Sequence, residues 1–539
     1  MSMPGVVKQS AAFALALIMA LTCAPACGYA AETEGGGGQA AQLVTVSDAQ
    51  GSAVSLNQID PRDYDGYVCV LKEDVTEEQI DQIEENIEEI DDAEVAEEVC
   101  SGEIYAAESL ETIEEIADLS AIDYIEPNYL FRIDYTADPF DFYNAGMINT
   151  IGIKDVWNAG VLGAGIGGAK TPVIAVMDTG LAGFNTQSRR HEDLDFSRIP
   201  YGLRAGSFSS IEDYNGHGTF VIGEILATME NHRGISGMMP KAQIVPVKVL
   251  NNSGMGDLKS IVSALNKLTK KHNVDVVNMS FSAAYYSASF DKACRKAARK
   301  GMILVAAAGN NGDPSFRYPA AYDSVIGVSA VKSNGAKWSY SEYNDSVDVA
   351  APGVGVAGLS IYSPKTYEQQ SGTSMAAPVI SAAAAMVKSI DPSVKHNQFV
   401  NILAKTSKDQ GKKGYDVHYG LGVVNFAKAY SYVKANKGRI PAVKVKKSQK
   451  PKKAKIRKLK VRKKSVTIKV KKIKKATSYQ VAIRPKGGKT TKLRFAKRKF
   501  TILGFSRKST YYIKVRAVRN VNGVNVYGKW SKQKKIKTK

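Results

Sequence analysis

The sequence is poor in cysteine. Five in 539 residues are too few and too unevenly spaced for the disulfide framework that holds small secreted domains together. Cys23 and Cys27 fall in an apolar N-terminal stretch, and Cys69 and Cys100 in an acidic region. Cys294 stands alone in "DKACRKAARKG", a helical pattern ahead of an apolar run, which predicts a packed thiol and not a reactive one. Long apolar runs are lacking as well: past the N-terminal stretch, no segment reads as the roughly twenty apolar residues that a membrane-spanning helix needs. Acidic residues thin out along the chain, since roughly thirty of the 52 precede residue 140. The net charge of +21 is therefore concentrated towards the C-terminus. By itself it leaves nucleic acid, membrane surfaces and acidic substrates open as partners.

What is present divides into regions. Lys8 precedes "AAFALALIMALTCA" and then the small residues "APACGYAA", the pattern of an export signal over residues 1–30, with Ala26 and Ala30 as cleavage positions. Lipid attachment at Cys23 or Cys27 is a minor alternative. A Gly-rich spacer and the N-terminal part of the following pro-segment occupy 31–64. Residues 65–134 alternate strand and helix patterns, including "TEEQIDQIEENIEEI", where Thr76 and Gln79 have capping-box spacing and Ile80, Ile83, Ile87 and Ile90 share a face. That predicts a small α+β unit. Over 135–435 the short apolar runs "TPVIAVMD", "QIVPVKVL", "VDVVNMSF", "MILVAAAGN" and "SVIGVSAV" read as buried parallel strands with helical crossovers, an α/β domain whose polar site belongs at the strand C-terminal ends. Residues 436–455 are too charged to pack and read as a basic linker. Residues 456–539 alternate with period two between evenly spaced turns, which predicts a small β-sandwich.

Chemistry is suggested in the α/β region. "QQSGTSMAAP" offers three hydroxyls, Ser371, Thr373 and Ser374, ahead of an apolar helix in which Pro378 is read as lying near the start. Asp178 ends "VIAVMDTG" and His217 lies between two glycines in "NGHGTF". A serine hydroxyl is a poor nucleophile at neutral pH, so its proton must pass to an imidazole that a carboxylate holds in the right tautomer. The order Asp178, His217, Ser374 is one that builds this arrangement. Asn310 in "AAAGNNG" ends a buried strand with an amide able to meet a developing oxyanion.

In "VIAVMDTG", "NGHGTFVIG", "AAAGNNG" and "SGTSMAAP" the chain resembles the subtilisin-like serine proteases, over roughly residues 139–434. The resemblance implies protein or peptide substrates and Ser374 as the nucleophile. It implies substrate-binding segments at Ser253, Gly254, Met255 and Gly256 and at Ser280, Phe281 and Ser282, the last replacing a usual Gly. It places Arg317 at the base of the pocket for the residue before the scissile bond, or else turned to solvent. The acidic unit resembles the family's prodomain, an inhibitor and folding aid ending at Asp134. Cleavage there, and a preference for Asp or Glu before the scissile bond, would pair a carboxylate with Arg317. Asp193 in "HEDL" stands where the family has a calcium-binding Asp, whereas Arg233 in the partner loop opposes a cation; structural calcium stays open, and no cofactor is implied for catalysis. The tail is similar to a fibronectin type III domain, departing from it at Val470, where a core Trp is usual. Its charge suits anionic cell-wall polymers; nucleic acid is not expected, because the tail lacks an aromatic platform for bases. The expectation is a secreted, autoprocessed bacterial endopeptidase, extracellular or held at the cell wall. The rival is a catalytically silent scaffold that adheres through its basic tail.

Overall fold

A computed structural model describes residues 64–538 apart from 73, 89–95, 101–103, 108, 130–137, 206–207, 272, 285, 463, 488–489 and 504. The readings of an export signal, of the spacer and of Asp134 lie outside the described residues. The chain forms two compact units, residues 1–133 and 134–539.

In the first unit four antiparallel strands lie in the order Ala96–Cys100, Ile104–Ala107, Tyr64–Leu71, Ile122–Tyr129. Helices Glu77–Glu88 and Leu110–Ile116 pack Ile83, Ile113 and Ile116 against Cys69, Tyr105 and Ile125. The capping box forms as read: the Thr76 amide donates to Gln79 Oε1 at 3.1 Å and the Gln79 amide to Thr76 Oγ1 at 3.3 Å. Burial pushes the Cys69 thiol up to about 11, which keeps it protonated and inert.

The second unit is built on a seven-stranded sheet in which every pairing is parallel. Its order is Val349–Pro352, Ile326–Val331, Ile303–Ala307, Val276–Met279, Val173–Asp178, Gln243–Lys248, Leu203–Arg204. The apolar runs of the sequence are five of these strands, and both sides of each strand are mainly apolar because helices cover both faces of the sheet. One face carries the helices His217–Leu226, Thr373–Ile390, His396–Thr406 and Phe426–Ala435, the other Leu258–Lys271 and Ala288–Arg299. Thr373–Ile390 is long and apolar enough to cross a membrane by composition, contrary to the expectation that nothing past the N-terminus is, but 94% of it is buried inside the protein. It is the domain's central core helix. Cys294 is fully buried on Ala288–Arg299, where desolvation raises its thiol.

Two antiparallel sheets follow: Ile456–Val461, Ser465–Val470 and Lys499–Leu503 in one, and five strands centred on Ser478–Pro485 and Thr510–Val521 in the other. They share one core of Val466, Ile468, Val470, Val481, Phe500, Ile513 and Val515. The stretch 436–455, read as a linker, is packed instead. Ile440 and Ala454 are 3% and 1% exposed, so its scattered apolar residues find cores while its lysines face out. The β sheets are also fastened to the α/β domain. Arg494, 3% exposed, pairs with fully buried Asp345 at 3.0 Å and lies over the Phe316 ring. Breaking such a buried pair strands the other charge, at a cost of about 3–5 kcal/mol.

Candidate active site

Asp178 ends its strand fully buried. One oxygen, Oδ1, accepts from the Thr179 amide and lies 2.8 Å from His217 Nδ1. His217 is the first residue of helix His217–Leu226, and the glycines around it have separate reasons. Gly216 sits at φ 101, where a side chain would be strained. A Cβ on Gly218 would meet the Gly180 carbonyl at 2.4 Å. Asp213 completes the helix start: Oδ1 accepts from the Asn215 and Gly216 amides, and Oδ2 from the Thr219 amide and hydroxyl. This role of Asp213 was not read from the sequence: it lies three residues ahead of Gly216, the residue at the N-cap position, outside the usual capping pattern. Burial alone would lower the His217 pKa, but the charge of Asp178, its hydrogen bond and the nearby Asp213 outweigh it and leave the imidazole above its ordinary value.

The three hydroxyls of the serine loop separate clearly. Ser371 Oγ accepts from the Gly355 amide. Thr373 Oγ1 accepts from the Gly309 amide and donates to Asn310 Oδ1 at 2.8 Å. Ser374 Oγ donates to the Ser280 carbonyl at 2.9 Å. Pro378 lies five residues past Thr373, beyond the first turn, which corrects its reading as a helix-start residue. Having no N–H, it leaves the Ser374 carbonyl without its helical donor, and Ser280 Oγ supplies one at 2.7 Å. Ser280 and Ser374 are thus joined twice, which ties the nucleophile candidate to the strand segment read as substrate-binding.

Asn310 is oriented from one side. Its Oδ1 accepts from both the Thr373 amide and the Thr373 hydroxyl at 2.8 Å, so Nδ2 must point the other way, towards Gly372. The Asn310 loop is held in turn by fully buried Glu342, whose amide donates to the Gly309 carbonyl and whose Oε2 accepts from the Asn311 amide at 2.8 Å. Glu342 Oε1 takes Arg317 Nε at 2.9 Å. Of the two readings of Arg317, solvent exposure is not what is seen: its side chain is 19% exposed and ion-paired. Tyr318 beside it exchanges two backbone hydrogen bonds with Ala283, one residue beyond Ser282, so Arg317 adjoins the Ser280–Ser282 segment. Ser253 through Gly256 form an exposed turn, with Ser253 and Met255 amides bonded to Asn251 Oδ1.

Asp193 is fully buried, but its oxygens face donors: Asn231 Nδ2 at 2.8 Å, the Ile235 amide at 3.2 Å and the Tyr367 hydroxyl at 3.3 Å. Burial pushes its carboxyl up to about 7. Arg233 turns away to Glu192 at 3.1 Å. These contacts hold a loop and do not fit a cation. Among the described residues no group of three or more His, Cys, Asp or Glu side chains could hold a metal ion.

Residues 169–422 match the model of the subtilase family, peptidase family S8. Subtilisin DY of Bacillus licheniformis is 38% identical over 260 residues, 47% of this chain and 88% of that one. The chain belongs to the subtilase family. Subtilisin Savinase of Lederbergia lenta is 37% identical over 273 residues, 50% of this chain and 91% of its own. Minor extracellular protease Epr of Bacillus subtilis (strain 168) is 35% identical over 330 residues, 59% of this chain, which spans 48% of Epr. The α/β region of this subtilase is therefore a subtilisin-like serine protease domain.

Proposed function

We propose that the whole protein is an exported serine endopeptidase working through an acyl-enzyme on Ser374. The observation that carries this reading is the 2.8 Å contact of His217 Nδ1 with Asp178. It commits the Nδ1 proton to the carboxylate and leaves Nε2 as the base. In the reaction Ser374 Oγ turns from the Ser280 carbonyl and gives its proton to Nε2 as it bonds the substrate carbonyl carbon. The oxyanion meets Asn310 Nδ2 and the helix start at Thr373. His217 returns the proton to the departing amine. Water then attacks the ester by the same route, releasing the carboxyl product and the serine. A silent adhesive scaffold is not favoured, since Asp178, His217, Asn310 and Ser374 are all present and the Asp178–His217 contact is formed.

The first unit is read as an inhibitory prodomain released after Asp134. Arg317 is read as the selector of acidic residues before the scissile bond. Glu342 satisfies Nε of the guanidinium, which leaves the Nη edge for a substrate carboxylate. The relatives' names, Epr's "extracellular" among them, support export, and the basic C-terminal unit supports retention by anionic wall polymers. Cleavage of a peptide library by the mature protein tests the selectivity. Cuts after Asp and Glu should dominate, the Arg317→Ala variant should lose that preference by at least about tenfold, and the mature chain should begin at Tyr135. A preference untouched by Arg317→Ala removes the proposal.

A further inference from the structure

No Asp or Glu follows Asp416 in the sequence, so the strands of the C-terminal β unit carry no acidic side chain to balance their lysines and arginines. Against the protease domain it borrows them: Arg494 pairs with Asp345, and the Tyr527 hydroxyl donates to Asp323. Elsewhere the fold gathers like charges. The Lys471 amide donates to the Lys455 carbonyl at 2.9 Å, and Arg519 Nη1 to the Gln449 carbonyl at 3.3 Å. These bonds draw two lysine runs, 450–455 and 471–475, into one depression of about 640 Å³. Pro451 and Ala454 are buried, so the lysines beside them are turned outward. Nine of the 13 lining residues are cationic and none is acidic. Like charges lining one depression leave it with a positive potential that solvent and salt screen.

We propose that this groove binds a linear polymer carrying phosphate groups on a non-aromatic backbone. Nine cations in one depression complement a chain of anions better than a single small one. Eight of the nine are lysines, point charges that tolerate the varied geometry of a flexible phosphate polymer, where a discrete bidentate site would use arginine. No aromatic side chain lines the depression, so bases would find nothing to stack on. The groove gives a location to the anionic-polymer partner proposed above and rests on that reading, while standing apart from the protease chemistry.

The test uses the full chain carrying Ser374→Ala, so that binding is read without hydrolysis, and linear inorganic polyphosphate as the probe. Affinity is measured by fluorescence anisotropy over a series of salt concentrations. The groove variant K471Q/K472Q/K474Q/K475Q should bind at least about tenfold more weakly, with a shallower salt dependence. A control with the same change of charge on exposed strand positions, K458Q/K460Q/K534Q/K535Q, should lose less than about threefold. Circular dichroism checks that both variants fold. Equal losses in the two variants, or no binding by the parent, overturn the groove. Duplex DNA bound about tenfold more tightly than polyphosphate overturns the ligand class.

Discussion

Replacing Ser374 with Ala lowers kcat by about a millionfold, with KM little changed. That is the size of loss found when the nucleophile of subtilisin itself is removed, about 8 kcal/mol of barrier. The expectation rests on how the three neighbouring hydroxyls are used. Ser371 Oγ is spent on the Gly355 amide and Thr373 Oγ1 on Gly309 and Asn310, so neither can stand in. Ser374 alone is joined to the Ser280 segment through both its hydroxyl and its carbonyl. Steady-state peptide hydrolysis checks this, with Ser371→Ala as the control, expected to stay within about threefold of the parent. A Ser374→Ala protein that keeps its rate assigns the nucleophile elsewhere.

The second large effect belongs to Asn310. Asn310→Ala should cost about a hundred- to a thousandfold in kcat, or about 2.7–4 kcal/mol, the measured range for the corresponding donor in subtilisin. KM should hardly move, because a donor aimed at the oxyanion gains strength only as charge develops. The amide cannot flip to evade the role. Turning Nδ2 towards Thr373 would set it against the amide and hydroxyl donors that Oδ1 now accepts. Single-turnover kinetics separate the two constants. A loss confined to KM would make Asn310 a binding residue and not a stabiliser of the transition state.

The residues of the candidate site were legible where each sits in its own short segment. Asp178 closes a strand, His217 opens a helix and Ser374 is the second residue of one. Asn310, read as ending its strand, lies instead three residues past Ile303–Ala307 in the following loop. The apolar runs around them declare the parallel sheet. What could not be read depends on distant partners. Glu342 lies 25 residues from Arg317, with no periodicity linking them, so the guanidinium's ion pair was invisible. The same holds for Arg494 and Asp345, which join two folds. Composition misled in the stretch 436–455: a high density of lysine hid the apolar residues, Ile440 and Ala454 among them, that pack it down. Pro378 was misplaced because the helix starts at Thr373, which puts the proline past the first turn, where its missing donor matters.

The account stands on Ser374 acting with His217 beside Asp178. The direct measurement is the rate of covalent modification by a sulfonyl fluoride as a function of pH, with the adduct located by peptide mass spectrometry. The adduct should map to Ser374, and His217→Ala should abolish the pH dependence. Because the imidazole must be neutral to take the proton and its pKa is raised, reactivity should be lost as pH falls through an inflection above the ordinary histidine value of about 6.5. An adduct on another residue, or a rate indifferent to His217, contradicts it.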